Sequence, residues 1–462
     1  MGSSMTRAVR ACQEEDASAL GRLARFRELL YGCLVKRADA LFELGDAVLT
    51  AGPGRPLPYL SLEPAFRRGH GMVYQGLAEG RIGEEAVRDL LVAARPRDWP
   101  PVFAIDASTW PRPEAETSPG RAFQHHTGPH GKDGAVAGWS FQVLAQLNFD
   151  PDSWTAPHDQ VLVPAGHGTS EAAEQVKAHA ARLAAAGETR VPLYVLDAGY
   201  GEAELAWELR QELAAGQVQV LVRVRSDRVL YRDWHRQPGQ RGPDGTHGTP
   251  FACKKPATWG PPDQELAVAD GRYGQVHVTA WAGLHPKLKA RHAFAGFTTL
   301  PVLKGTLIRI KVTRLPGGKA SPDPIWLFYP GPSHPDLDLC WRAYLHRYDI
   351  EHTYRFAKHA LGWVTPAVRT PAQATRWTWL ILAALTQLRL ARAIAEDHRL
   401  PWEKPRAPGR LTPGRVRRDF PRLLTLTGTP AKAPGFTIAG PGRPKGRKST
   451  PAPRYPITKK AA

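Results

Sequence analysis

Residues 191–225 read VPLYVLDAGYGEAELAWELRQELAAGQVQVLVRVR. Val191 to Leu196 is a short apolar run that predicts a buried strand, and it stops at Asp197. In the turn Ala198-Gly199-Tyr200-Gly201, glycine allows a sharp change of direction and leaves the aspartate carboxylate open. Glu202 to Ala215 predicts a helix, and Gln217 to Arg225 alternates Val or Leu with polar residues as a strand does. Upstream, Val102 to Ile105 predicts a strand ending at Asp106, followed by strands over Trp139 to Phe149 and Val161 to Pro164 and an Ala-rich helix from Ser170 to Ala186. Three strands, a helix, a strand, a helix and a further strand indicate an α/β fold with helices laid on a sheet.

Outside this segment the periodicity changes. Apolar residues at helical spacing run from 17 to 50 and end at Ala51-Gly52-Pro53-Gly54, with two more helical stretches, Glu63 to Glu79 and Gly83 to Ala94. Residues 1–98 therefore read as an all-α domain, and Arg67, Arg68 and His70 on its middle helix are candidates for phosphate contact or plain surface solvation. Residues 99–226 hold the α/β segment. Residues 227–335 form a β-rich insertion with strand-like runs at Gly274 to Trp281, Thr306 to Arg314 and Ile325 to Tyr329. Helical pattern returns over 336–398, in Leu339 to Leu361 and Pro371 to His398, and 399–462 reads as a basic Pro/Arg-rich tail, mobile for the most part.

The chain has 462 residues, enough for roughly two to four domains. Its formal charge is +19, and residues 401–462 carry 15 Lys/Arg against 2 Asp/Glu, whereas the first hundred residues are nearly neutral. A cationic tail on a balanced body points to a polyanion, most commonly nucleic acid. Four cysteines, Cys12, Cys33, Cys253 and Cys340, are far apart in sequence, which argues against a structural zinc site or a disulfide framework. The longest apolar run, Trp377 to Leu388, falls well short of the roughly 20 residues of a membrane span, so the expectation is a cytoplasmic, nucleoid-associated protein without a membrane partner.

Two aspartates at strand ends are weak evidence separately, because such residues often cap helices. Together they are more specific. Neighbouring carboxylates repel unless a cation lies between them, and Mg²⁺ takes carboxylates together with phosphate oxygens. A third element is the predicted helix holding Tyr344, Arg347, Glu351 and Lys358. At about 100° per residue these fall within a stripe roughly 60° wide and about 21 Å long. A phenol, two cations and a carboxylate suit a face turned toward nucleic-acid backbone; an exposed face with an Arg347–Glu351 ion pair is the plain alternative.

Tyr344-x2-Arg347-x3-Glu351-x6-Lys358 resembles the tyrosine-arginine-glutamate-lysine motif of DDE transposases of the insertion-sequence-four superfamily. Ile105-Asp106-Ala107-Ser108 and Leu196-Asp197-Ala198-Gly199-Tyr200 are similar to that family's first and second acidic motifs, and the β-rich insertion sits between the second Asp and the Glu as it does there. The resemblance covers roughly residues 100–365 and implies a ribonuclease H-like catalytic core. It further implies that Asp106, Asp197 and Glu351 are catalytic and hold two Mg²⁺ ions, with Mn²⁺ as a substitute, and that Tyr344, Arg347 and Lys358 contact DNA. Two metals would activate a water or a DNA 3′-hydroxyl and stabilise the leaving oxygen of an in-line phosphoryl transfer. The expected partners are double-stranded DNA, as transposon ends and target, and a second copy of the chain in an active homodimer.

Family members also stack a flipped base on an insertion tryptophan, for which Trp281 is a candidate, although Trp259, Trp281 and Trp326 suit a core equally well. Pro441 to Lys448 resembles an AT-hook, so Arg443, Lys445 and Arg447 are candidate DNA contacts with steep salt dependence. His125, His126 and His130 lack regular metal-ligand spacing and suit solvation or substrate contact better. The competing readings are a ribonuclease H-fold nuclease or resolvase without strand transfer, and a transposase-derived DNA-binding protein whose chemistry has lapsed. A phosphohydrolase is weaker, since Asp106 lacks an Asp two residues on and no phosphate-cradling Gly loop is present.

Overall fold

A computed structural model describes residues 18–127, 133–236, 238, 241, 243–317, 322–332, 334–435, 446 and 450–458. In chain order, the N-terminal part holds α1 (Ala19–Gly32), β1 (Leu34–Lys36), α2 (Ala38–Thr50), α3 (Leu57–Leu60), α4 (Gly71–Glu79), β2 (Arg81–Ile82) and α5 (Glu84–Ala93). Next come β3 (Val102–Pro111), β4 (Ala122–Thr127), β5 (Asp133–Leu147), β6 (Thr155–Val163), α6 (Gly168–Ala185), β7 (Leu193–Leu196), α7 (Glu202–Glu208), α8 (Arg210–Ala214) and β8 (Gln219–Val224). Residues of the β-rich segment give β9 (Val229–Tyr231), β10 (Pro250–Ala252), β11 (Gln264–Asp270), β12 (Gly274–Pro286), β13 (Gly305–Val312) and β14 (Ile325–Pro330). The chain closes with α9 (Leu337–His346), α10 (Asp349–His359), α11 (Pro371–Ala391), α12 (Pro413–Arg418) and α13 (Phe420–Thr427).

The central sheet has the ribonuclease H-like order. β5 lies antiparallel between β6 and β3, β7 is parallel to β3, and β8 is parallel to β7. Alternate residues of the strands face opposite layers, as the two-residue repeat requires. Phe103, Ile105, Tyr194, Leu196, Val220 and Val222 pack with Ala172 and Val176 of α6, Leu205 of α7 and Leu209 between α7 and α8. Val102, Ala104, Phe141, Val143, Val195 and Leu221 belong to the larger core shared with α9–α11 and the N-terminal helices. α11 is apolar nearly all round and buried along most of its length, so the run Trp377 to Leu388 is the centre of a helical layer. Among the described residues no helix is long and apolar enough to cross a membrane.

The β-rich segment adds its strands to the same sheet. β14 pairs antiparallel with β8, and β13, β12, β9 and β10 follow outward, giving twelve strands in one sheet among the described residues. The backbone edge of β8 is thereby covered, which removes a surface prone to unwanted pairing. Phe251, Trp281 and Trp326 fill a small core of this extension.

Three expectations change at this level. The stretch 17–50 is two helices broken by β1, with Arg37 in the left-handed region (φ 57°) ahead of α2. β3 runs on past Asp106 to Pro111, because β5 continues to pair with it after the parallel partner β7 has stopped. The segment 399–462 is not a loose tail throughout: α12 and α13 form, and Leu411, Val416, Phe420 and Leu423 are buried. The buried Arg417 side chain donates to the carbonyls of Val48, Ala51 and Gly52, satisfying groups left open at the end of α2. Arg27 donates to Asp46, Gln387 and the carbonyl of Gly428, and Arg67 reaches the carbonyl of Ala431. Apolar residues among the prolines and arginines were enough to dock the segment.

Between the sheet and α6, His158 Nδ1 lies 2.8 Å from His179 Nε2, and His179 Nδ1 lies 2.9 Å from the Tyr194 hydroxyl. Burial pushes both imidazoles down, His179 to about 3 and His158 well below the ordinary range, with nearby positive charge adding to the effect. Because the folded values lie below the unfolded one, this contribution to stability is complete above about pH 6.5 and is lost as pH falls toward 3. Urea unfolding should therefore show stability declining from pH 6.5 to 4.5 by up to about 1.4 kcal/mol per pH unit for each histidine. His158→Gln should flatten that decline; an identical slope in wild type and variant would contradict it.

Candidate active site

Register brings the first two acids side by side. Ile105 pairs with Leu196 as the last parallel partners of β3 and β7, so Asp106 and Asp197 are the next residues on adjacent strands. Asp106 accepts from the backbone N–H of Ala107 at 3.0 Å. The Asp197 turn closes by a Tyr200 N–H to Asp197 carbonyl bond of 3.2 Å, and the buried Tyr200 hydroxyl meets the Gln142 side chain of β5 at 2.8 Å.

Asp336 caps α9 by accepting from the N–H groups of Asp338 and Leu339. The stretch from Tyr344 to Lys358 is not one helix, as its spacing predicts. α9 ends at His346, the N–H groups of Ile350 and Glu351 reach back only three residues, and α10 starts at Asp349. A buried pair, His346 Nδ1 to Asp349 Oδ2 at 3.0 Å, stands across this step, with the imidazole stacked on Phe149. The step turns Arg347 inward.

The Arg347 guanidinium lies 3.9 Å from Asp106 Oδ2, 3.6 Å from Asp197 Oδ2 and 3.5 Å from Glu351 Oε1. The three acids, on β3, after β7 and on α10, thus converge on one cation that is 1% exposed. Tyr344, with no exposed surface, places its hydroxyl 3.5 Å from Asp197 Oδ1, and the rings of Tyr344 and Tyr348 flank the guanidinium. The stripe is therefore divided. Glu351 is exposed and Lys358 half-buried, while Tyr344 and Arg347 are in the interior, against the expectation of a face open to solvent. The reason is electrostatic: three carboxylates gathered at one point require a countercharge.

Burial pushes the Asp106 carboxyl up to about 6; Arg347 opposes the rise, and Glu351 and Asp197 reinforce it. Burial alone would lower the Arg347 pKa, but Tyr344, Asp197 and Asp106 reverse that and hold it above its ordinary value. Lys358 is lowered by burial, with Asp106 as the opposing charge. The Tyr354 hydroxyl donates to the Asp106 carbonyl at 2.5 Å, and Arg223 of β8 lies 3.7 Å from Asp197. Neither Tyr354 nor Arg223 was singled out from the sequence. A basic residue alternating with valines on a strand next to Asp197 was the available signal for Arg223.

A cavity of about 690 Å³ opens beside Asp197, lined by Ala198, Arg223, Arg225, Lys254, Arg309 and Trp259 among others. Arg309 stands 5.1 Å from the Trp259 ring and 5.9 Å from that of Trp326. Trp281 is 3% exposed and packs on Phe251 and Trp326, so it is a core residue and not an open stacking platform; Trp259 is the partly exposed member. Arg67 and Arg68 pair with the fully buried Glu43, and His70 meets Ser61. Arg443, Lys445, Arg447 and His130 lie outside the described residues, as does the side chain of His126; the backbone of His125 is in β4 and accepts from Thr109.

Three carboxylates with no hydrogen bond to the guanidinium among them are hard oxygen donors with lone pairs available, a set that suits Mg²⁺ or Mn²⁺. Among the described residues, the group of acids and histidines whose ligand atoms all lie within 4.8 Å of one another is Glu396, His398 and Asp419 on the C-terminal segment; the three acids around Arg347 are spaced more widely. There the Arg422 guanidinium already bonds both Asp419 oxygens, so a cation is in place.

The family model described as DDE superfamily endonuclease matches residues 29–287, which includes Asp106 and Asp197 and stops before Glu351. No curated protein matches the sequence. Among solved structures, the cryo-EM structure of a piggyBac transposase synaptic complex with hairpin DNA is similar with a TM-score of 0.37 at 10% identity, over 84% of this chain and 72% of that one.

Proposed function

This chain belongs to the DDE superfamily endonucleases, and from that premise we propose that it is a DNA transposase of the insertion-sequence-four type, cutting at the ends of its element and joining them to target DNA. The observation that carries the proposal is the meeting of Asp106, Asp197 and Glu351 around Arg347 from three separate parts of the chain. In this reading those acids hold two divalent ions, Mg²⁺ with Mn²⁺ as substitute, which when bound supply an activated water or 3′-hydroxyl and a charge clamp on the leaving oxygen.

The chain's own residues divide the remaining work. Arg347 keeps the three carboxylates at one place when no other cation is near. Asp106 carries a proton below about pH 6 and is ready to bind a cation above it. Tyr344 presents its hydroxyl beside Asp197, so phosphate arriving at that acid comes within its reach, with positive charge from Arg223 beside Asp197 and from Lys358 near Asp106. Arg443, Lys445 and Arg447 are proposed to add phosphate contacts whose strength falls as salt rises. Two ends acting together imply a homodimer on DNA.

The test uses the full-length protein with duplexes carrying the inverted repeats that flank its gene. The expected result is nicking in Mg²⁺ or Mn²⁺, none in EDTA, and joined product when target plasmid is added. Cutting that never yields joined product would favour a nuclease or resolvase; binding without any cutting would mean lapsed chemistry.

A further inference from the structure

At the opposite end of the sheet, α1, the link from α5 to β3 and the end of α11 enclose a cavity of about 390 Å³. Five arginines line it, Arg22, Arg25, Arg95, Arg389 and Arg392, against one acid, Asp98. It adjoins the amino end of β3, whereas Asp106 is four residues further along that strand, about 13 Å away at 3.3 Å per residue. The proposed cleavage site does not extend to it.

Several of these guanidiniums are incompletely satisfied. Arg95 is 5% exposed; it donates to the Val92 carbonyl and lies 3.6 Å from Glu188, which Arg190 already holds at 2.8 Å, and its Nε has no partner. Arg389 donates to the Ala94 carbonyl, has no ion-pair partner among the described residues, and its buried Nε is likewise unpartnered. Arg392 pairs with Asp152 but leaves its Nε without an acceptor. Burial pushes Arg389 down to about 10, with Asp98 as the opposing charge. Buried N–H groups without acceptors are rare because each loses its hydration without return. Guanidiniums lining one cavity, three of them with an unpartnered Nε–H, match an anion of several oxygens and tetrahedral shape, for which arginine is the preferred partner.

We propose that this cavity binds a phosphate group, held by the buried Arg95 and the half-buried Arg389, with Arg22 and Arg25 at its mouth. The group belongs either to a DNA backbone or to a small phosphorylated ligand. Inorganic pyrophosphate serves as the probe, titrated calorimetrically into the full-length protein at low salt. Saturable binding at one site per chain is expected, weakened at least tenfold in Arg389→Gln and about threefold in Arg25→Gln. The second variant, on a partly exposed helix face, reports even if the first fails to fold. If the source is DNA, pyrophosphate competes with a duplex lacking element ends, and Arg25→Gln reduces the slope of log affinity against log salt by about 1. If the source is a small ligand, the duplex neither competes nor changes its slope. Absence of saturable pyrophosphate binding, or binding equal to wild type in Arg25→Gln and in any folded Arg389→Gln, would overturn the proposal.

Discussion

Asp106→Asn is expected to lower strand cleavage by at least about 1000-fold while making the metal-free protein more stable, since the two-metal phosphoryl transfer proposed above depends on the carboxylate it removes. The stability change follows from the raised pKa. The folded carboxyl titrates near 6 against an ordinary value of 3.8, so holding it ionised opposes folding, not at all below about pH 3.8 and fully above about pH 6. An amide of the same shape keeps the bond from the Ala107 N–H and removes the charge. A gain of about 1–2 kcal/mol at pH 7.5 is expected, below the full linkage value because the side chain keeps some contact with water. Urea unfolding in EDTA and single-turnover cleavage measure the two effects. Cleavage within tenfold of wild type would remove Asp106 from the proposed chemistry.

Arg347→Met should act in the opposite direction on stability and equally severely on activity. Removing the guanidinium leaves Asp106, Asp197 and Glu351 facing one another without a countercharge, and breaking a buried pair on one side commonly costs about 3–5 kcal/mol. Because the acids are partly solvated, the lower end, about 3 kcal/mol at pH 8, is expected. The loss should shrink toward pH 5, where Asp106 takes up a proton more readily once Arg347 no longer opposes it. Arg347→Lys should recover part of the stability, since charge is kept and the planar fork is lost. The readout is the unfolding free energy of the three proteins at pH 5 and pH 8. A destabilisation independent of pH would assign Arg347 to packing alone.

The order of strands and helices was legible in the sequence wherever apolar residues form a short run, alternate at a period of two or recur at 3.6, which is why β3, β5, β7, β8, β12 and β13 lie where those patterns place them. Registers were not legible, and so neither was the joining of β14 to β8, a pairing that depends on residues a hundred positions apart. Of the proposed site residues, Asp106 and Asp197 were legible as the ends of apolar runs and Glu351 through its spacing from Tyr344, Arg347 and Lys358. The interior position of Tyr344 and Arg347 was not, because a charged residue at helical spacing reads as solvated unless the acids that surround it are placed in three dimensions. The step at Arg347–Tyr348 contains neither Gly nor Pro, so the usual signs of a helix break are missing. α12 and α13 were hidden for a different reason: six and eight residues long and set among prolines and arginines, each is too short for its apolar residues to show a period.

The docking of residues 417–431 onto α1 and α2 has a consequence for biosynthesis. Arg27 finds its carbonyl acceptor 401 positions later, and the open end of α2 waits for Arg417. During translation the leading helices emerge long before these partners, with Arg27 and an apolar face still lacking cover. Native closure of that layer therefore waits until synthesis has passed Gly428, and products truncated before it lack the groups that satisfy Arg27 and the end of α2.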